Sequence, residues 1–112
     1  MDYKTIDKEA GERSEKLRQT IPEVMQGFIG LRDTALKDGA LSAKTKALIA
    51  VALSVSVRCD PCVTVHVKNA IKAGATREEV AEAAGVAIMM GGGPSSIYAA
   101  IVLDAYDQFR EK

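Results

Sequence analysis

Tryptophan is absent, and the chain holds only three Tyr and two Phe among 112 residues. Packing therefore falls to Ala, Val, Ile, Leu and Met, within a hydrophobic share of 47%. Small side chains let helices approach closely, but each buries little area. A domain of this size buries only about two-thirds of its unfolded surface, so association with further copies of itself would add useful burial. No charge of either sign is in excess: 15 basic residues balance 15 acidic ones. That balance predicts no nucleic-acid partner and no anionic-membrane partner, both of which call for clustered Lys and Arg. No long apolar run is present. The longest, Ala47 to Val57, is interrupted by Ser54 and Ser56 and falls short of the roughly 20 residues that span a bilayer. The start, Met1-Asp2-Tyr3-Lys4, has no apolar stretch behind it, so no signal peptide is expected and a cytoplasmic location is.

Cysteine is scarce, with two residues, and histidine scarcer still, with one. In a reducing cytosol a purely structural disulfide is not expected, and cysteines three apart close too small a loop to stabilise much. The pair therefore points to another use.

The pattern along the chain predicts an all-α fold in one domain, residues 1–112. Residues 4–20 are mostly charged, with opposite charges at helical spacings, and form an exposed N-terminal helix weakened by Gly11. Pro22 opens a second helix whose apolar residues Val24, Met25, Phe28, Ile29, Leu31 and Leu36 follow helical periodicity as far as Gly39. Ser42 is the N-cap of a third helix, from Ala43 to about Val57, apolar on every face in its middle. Such a helix must be covered all round, so part of it is expected to meet another subunit. A buried strand is the rival reading, but no second strand candidate could pair with it. Asp60 is expected to cap the fourth helix, with Pro61 as its first residue and Gly74 as its stop after Ala73. Thr76 and Glu79 form a capping box for the fifth helix, which carries Val80, Ala83, Ala84, Ala87 and Ile88 on one side. It runs through Met89 and Met90, read as core or interface, to Gly91-Gly92-Gly93, and Pro94-Ser95-Ser96 opens the last helix.

One constellation carries chemistry: Cys59-Asp60-Pro61-Cys62-Val63-Thr64-Val65-His66. Cys62 would be the second residue of the fourth helix, where unpaired N–H groups and the helix dipole favour a thiolate. His66 lies four residues on, along the same face, and can take the thiol proton. Cys59, just before the helix, can close a disulfide on an oxidised Cys62. Three alternatives stand beside this reading. The spacing can arise by chance in a buried helix, and a lone His can be a satisfied core residue. Cys-x2-Cys-x3-His offers three zinc ligands where a structural site wants four. A thioredoxin-like use needs a βαβ frame that the pattern lacks. Gly91-Gly92-Gly93-Pro94 reads as an interhelical turn rather than an anion site, since a phosphate loop's lysine is missing. Lys44 and Lys46 read as solvated. No cofactor and no metal are expected.

The stretches Leu41–Ile49, Arg58-Cys59-Asp60-Pro61-Cys62, His66, Ala73–Val80 and Gly92-Gly93-Pro94 together resemble the carboxymuconolactone decarboxylase family, in particular its alkyl hydroperoxide reductase D-like members with Cys-x-x-Cys. The resemblance covers roughly residues 20–105. It implies an orthogonal bundle of about six helices, intertwined in a trimer or hexamer. It also implies a thiol-dependent peroxidase or disulfide reductase acting on a hydroperoxide or disulfide, with a dithiol as electron donor. Carried over by position, Cys62 is the reactive thiol, Cys59 its disulfide partner and His66 the proton acceptor. Two positions depart from the pattern. Ala47 stands where the family often carries a relay Glu, and Pro61 where reductase D members carry a His inside the pair. A decarboxylase-like enzyme using His66 as base, or a redox-sensing oligomer, is the alternative on the same scaffold.

Overall fold

The computed structural model describes residues 1–110; the last two residues of the expected domain lie outside the described residues. Six helices follow one another: α1 (Tyr3–Thr20), α2 (Pro22–Leu36), α3 (Ala43–Ser56), α4 (Asp60–Lys72), α5 (Arg77–Gly91) and α6 (Gly93–Arg110). The valine-rich third segment is a helix and not a strand. Its N-cap is Ser42, whose hydroxyl accepts the Thr45 N–H at 3.1 Å. The capping box is also present: the Thr76 hydroxyl accepts from the Glu79 N–H, and the Glu79 carboxylate accepts from the Thr76 N–H.

α3 packs against α4 and α5, both of which pack against α6, while α1 lies along α4. The core between them is built from small side chains. Val51, Val55, Val63, Val67, Val80 and Val102 are its largest fully buried aliphatics, joined by Ala70, Ala84, Ala87 and Ala105. β-Branched valines are stiff at χ1 and lose little further freedom when buried, so a core of them is rigid for its size. Tyr3 of α1 is also buried, its N–H donating to the Gln108 side chain of α6 at 2.7 Å. The charged pattern of α1 did not mark this anchor.

α2 buries none of its residues, despite its helical periodicity. Val24, Phe28 and Leu31 are exposed, as are Ile49, Leu53 and Val57 at the end of α3 and Val86, Met89 and Met90 on α5. The two methionines are thus not core residues of this chain. Lys44 and Lys46 are not free in solvent either. Lys44 pairs with Glu79 at 2.9 Å, and Lys46 donates to the Lys37 carbonyl at 2.7 Å.

Two helices end in the same device. After α4, the Ala75 N–H reaches the Ala70 carbonyl at 2.9 Å and the Gly74 N–H the Ile71 carbonyl at 3.0 Å, with Gly74 at φ +88°. After α3, the Cys59 N–H reaches the Ser54 carbonyl at 3.3 Å and the Arg58 N–H the Val55 carbonyl at 3.1 Å, with Arg58 at φ +54°. Both are Schellman motifs, whose left-handed position normally takes glycine. An L-residue there costs about 1–2 kcal/mol. Opposite effects are therefore expected from two substitutions. Gly74→Ala should lower stability by about 1 kcal/mol and Arg58→Gly raise it by about 0.5 kcal/mol, after the unfolded-state entropy of glycine is discounted. Urea midpoints of the two variants check the signs.

Candidate functional site

The strained turn at Arg58 delivers the chain straight into the cysteine pair. Its hydrogen bonds tie Cys59 to the end of α3, and Cys59 takes an extended conformation (φ −115°, ψ 104°) before α4 begins. Cys59 and Cys62 are joined in a disulfide, with Sγ atoms 2.15 Å apart and Cα atoms 5.1 Å apart. The sequence assigned the α4 N-cap to Asp60. The structure gives it to Cys59, whose Sγ accepts the Cys62 N–H at 3.2 Å. The S–S bond holds that sulfur over the first turn, where it takes the place of a capping oxygen. Asp60 becomes the first helical residue, Pro61 the second and Cys62 the third. Both sulfurs therefore sit at the positive end of α4, among N–H groups that have no intrahelical partner.

His66 lies one turn beyond Cys62 and is half-buried. Its Nδ1 is buried with no hydrogen-bond partner among the described residues. Burial, and secondarily the Arg32 guanidinium of α2, hold the imidazole below its ordinary value near 6.5. The ring is thus neutral at pH 7 in the disulfide form and able to accept a proton. The sign for stability follows. As pH falls through 6.5 the unfolded chain takes up the proton first, so the oxidised protein loses stability until the folded imidazole also titrates. If cleaving the disulfide leaves a thiolate on Cys62, one turn away on the same helix face, an opposite charge within about 4–6 Å raises an imidazole by about a unit or more. We expect the Cε1–H resonance of this single histidine to titrate below 6.5 in the oxidised protein and to move upward on reduction. The same upward move in Cys62→Ser would contradict the pairing.

The structure places Cys59 and Cys62 at the start of α4 and His66 one turn farther along the same helix. It adds no carboxylate from α3, which contains no Asp or Glu; Ala47 is buried and lines a cleft with Asn69 of α4 and Ala73 just beyond it. No three His, Cys, Asp or Glu side chains are grouped to hold a metal ion among the described residues. Two neighbours escaped the sequence reading, and a third, Arg58, entered it only as part of the family motif, since arginine has no preference for the left-handed region. Arg32 and Tyr98, from α2 and α6, approach only through tertiary packing. Tyr98 lies against Asp60. Among the described residues no helix is long and apolar enough to cross a membrane.

The carboxymuconolactone decarboxylase family profile matches residues 22–105. An uncharacterized protein of Cupriavidus necator is 42% identical over 106 residues, covering 95% of this chain and 94% of its own. The crystal structure of an apo carboxymuconolactone decarboxylase family protein from Legionella pneumophila matches with a TM-score of 0.95 at 45% identity, over 97% of each chain. A family member from Thermotoga maritima, described as a possible participant in an antioxidative response, matches with a TM-score of 0.77 at 25% identity, over 88% of this chain and 87% of its own. Since the family profile spans the whole helical core from α2 to α6, and a family structure overlays nearly all of the chain, this protein belongs to the carboxymuconolactone decarboxylase family.

Proposed function

We propose that the chain is a thiol-dependent antioxidant oxidoreductase, a cytoplasmic peroxidase or disulfide reductase of the alkyl hydroperoxide reductase D-like type. The observation that carries this reading is the Cys59–Cys62 disulfide at the start of α4, one turn from a half-buried neutral His66. In the dithiol form His66 takes the Cys62 proton. The Cys62 thiolate attacks one oxygen of a hydroperoxide, the O–O bond breaks, and the alcohol leaves with a proton from the imidazolium. Cys62 is now a sulfenic acid. Cys59 displaces its hydroxyl as water and restores the disulfide, which a donor dithiol reduces by exchange. A disulfide substrate enters the same cycle without the sulfenic acid.

The exposed apolar residues of α2, α3 and α5 support a homo-oligomer, a trimer or hexamer in keeping with the family resemblance. Large exposed apolar patches mark association surfaces. The test of the activity is stoichiometric. Reduced protein mixed with one equivalent of hydroperoxide should lose two thiols per peroxide consumed, and a dithiol should sustain further turnover. Thiols that survive an equivalent of peroxide, and a disulfide that an added dithiol does not open, would sink the reading.

A further inference from the structure

The turn that carries the cysteines also carries a carboxylate that the cycle above does not use. Asp60 stands between Cys59 and Pro61 as the first residue of α4. Its Oδ1 is buried and has no hydrogen-bond partner among the described residues. The Tyr98 phenol of α6 lies against this carboxylate. Burial first, then the charge of the neighbouring Asp60, hold the phenol above its usual range, with Arg58 acting in the opposite direction. The buried Tyr3 of α1 feels the same charge, after its own burial and the charge of Asp104. An acidic residue in a first helical turn interacts favourably with the dipole while remaining in water. The dipole therefore accounts for an exposed aspartate, not for one turned inward between α4 and α6 with an oxygen unpaired. Orphaned buried polar groups concentrate where a group has a task.

The cysteine chemistry supplies that task. The N–H of Cys62 and the helix dipole favour a thiolate at Cys59, but a carboxylate on the adjacent residue opposes it. A Cys59 that enters the resolving step as a thiol needs a base of its own. His66 stands on the far side of Cys62 along the helix. We propose that Asp60 is the proton acceptor and donor for Cys59, and that Tyr98 is the positioning residue that holds its carboxylate. The assignment rests on the reading of the pair as a redox dithiol. When the Cys59 sulfur attacks Cys62, held as a sulfenic acid or a mixed disulfide, the Cys59–Cys62 bond forms. The bond from Cys62 to the hydroxyl or to the leaving thiolate breaks, and the Cys59 proton passes through Asp60 to the departing hydroxyl, which leaves as water, or to solvent when a thiolate leaves. When a donor dithiol reduces the pair, Asp60 relays a proton from the donor thiol to the departing Cys59 sulfur.

An aromatic disulfide reagent that releases a coloured thiolate separates the two steps on the full chain. The first equivalent appears as Cys62 attacks, the second as Cys59 closes the ring. With Asp60→Asn the second phase should slow about 10²-fold at pH 7, in the range of general-base assistance, while the first keeps its rate or quickens. Tyr98→Phe should slow the second phase several-fold, and Asp60→Glu should recover part of what the asparagine loses. A first phase slowed as much as the second, or an unchanged second phase in Asp60→Asn, overturns the assignment. The reagent stands in for the peroxide, so a selective loss of the second phase supports Asp60 even in a protein that turns over no hydroperoxide. A parent protein without turnover counts against the peroxidase alone.

Discussion

Cys62→Ser should leave the chain folded and, on the proposed cycle, bring dithiol-driven hydroperoxide turnover down to the solution background, a fall on the order of 10³-fold or more, because a hydroxyl at that position has no accessible anion to attack oxygen. The substitution is nearly isosteric, and both the backbone N–H of Cys62 and the Cys59 sulfur that caps it remain, so the loss reports chemistry and not unfolding. Cys59→Ser behaves differently. Cys59 is the N-cap through its sulfur, and serine is among the best N-cap residues, so the helix start survives and gains a stronger acceptor. On the proposed cycle the first attack on peroxide should proceed and the reaction stop after one turnover with a sulfenic acid on Cys62. A dimedone-type trap and a mass spectrum of the intact chain read that adduct directly. Equal turnover in Cys62→Ser and the parent, or an adduct on Cys59 instead of Cys62 in the parent, would reverse the roles of the two sulfurs.

The asymmetry between the cysteines shows what the sequence could say about the site. Pro61 and the four-residue spacing from Cys62 to His66 fix a helix start and one helix face, because both are local properties of the chain. The same holds for Ser42, Thr76 with Glu79, and Gly74, each of which caps or ends the helix it was expected to. The N-cap itself moved by one residue, from Asp60 to Cys59, because a bonded sulfur took the capping position. The residues that complete the site belong to other elements. Tyr98 reaches Asp60 from α6, the Arg32 charge reaches His66 from α2, and the left-handed Arg58 is set by how α3 must turn into α4. No periodicity encodes contacts of that kind. Tyr3 was missed for the same reason, since a single apolar residue ahead of a charged helix has no repeat to announce it.

The all-round apolar middle of α3 was expected to need another subunit, and the structure sharpens that expectation into a prediction. One face of the helix is spent in the core on Val51 and Val55. On the other, Ile49, Leu53 and Val57 recur every four residues and remain 45%, 58% and 67% exposed. Phe28 and Leu31 on α2, and Met89 and Met90 on α5, are exposed as well. The chain is expected to self-associate through this stripe, and Leu53→Lys should leave it monomeric. Burying a leucine contributes about 2 kcal/mol, and in a closed symmetric assembly the change occurs in every copy. Two copies meeting at one interface lose about 4 kcal/mol, or roughly 10³-fold in association constant, before the cost of desolvating the ammonium is counted. The isolated chain should tolerate the change, because Leu53 is more than half exposed within it and lysine is a good helix former. Light scattering during size-exclusion chromatography, with circular dichroism on the same fractions, gives the answer. A parent that elutes as a monomer at micromolar concentration, or a Leu53→Lys protein that keeps the parent's mass, would mean that this stripe faces water and not a second copy.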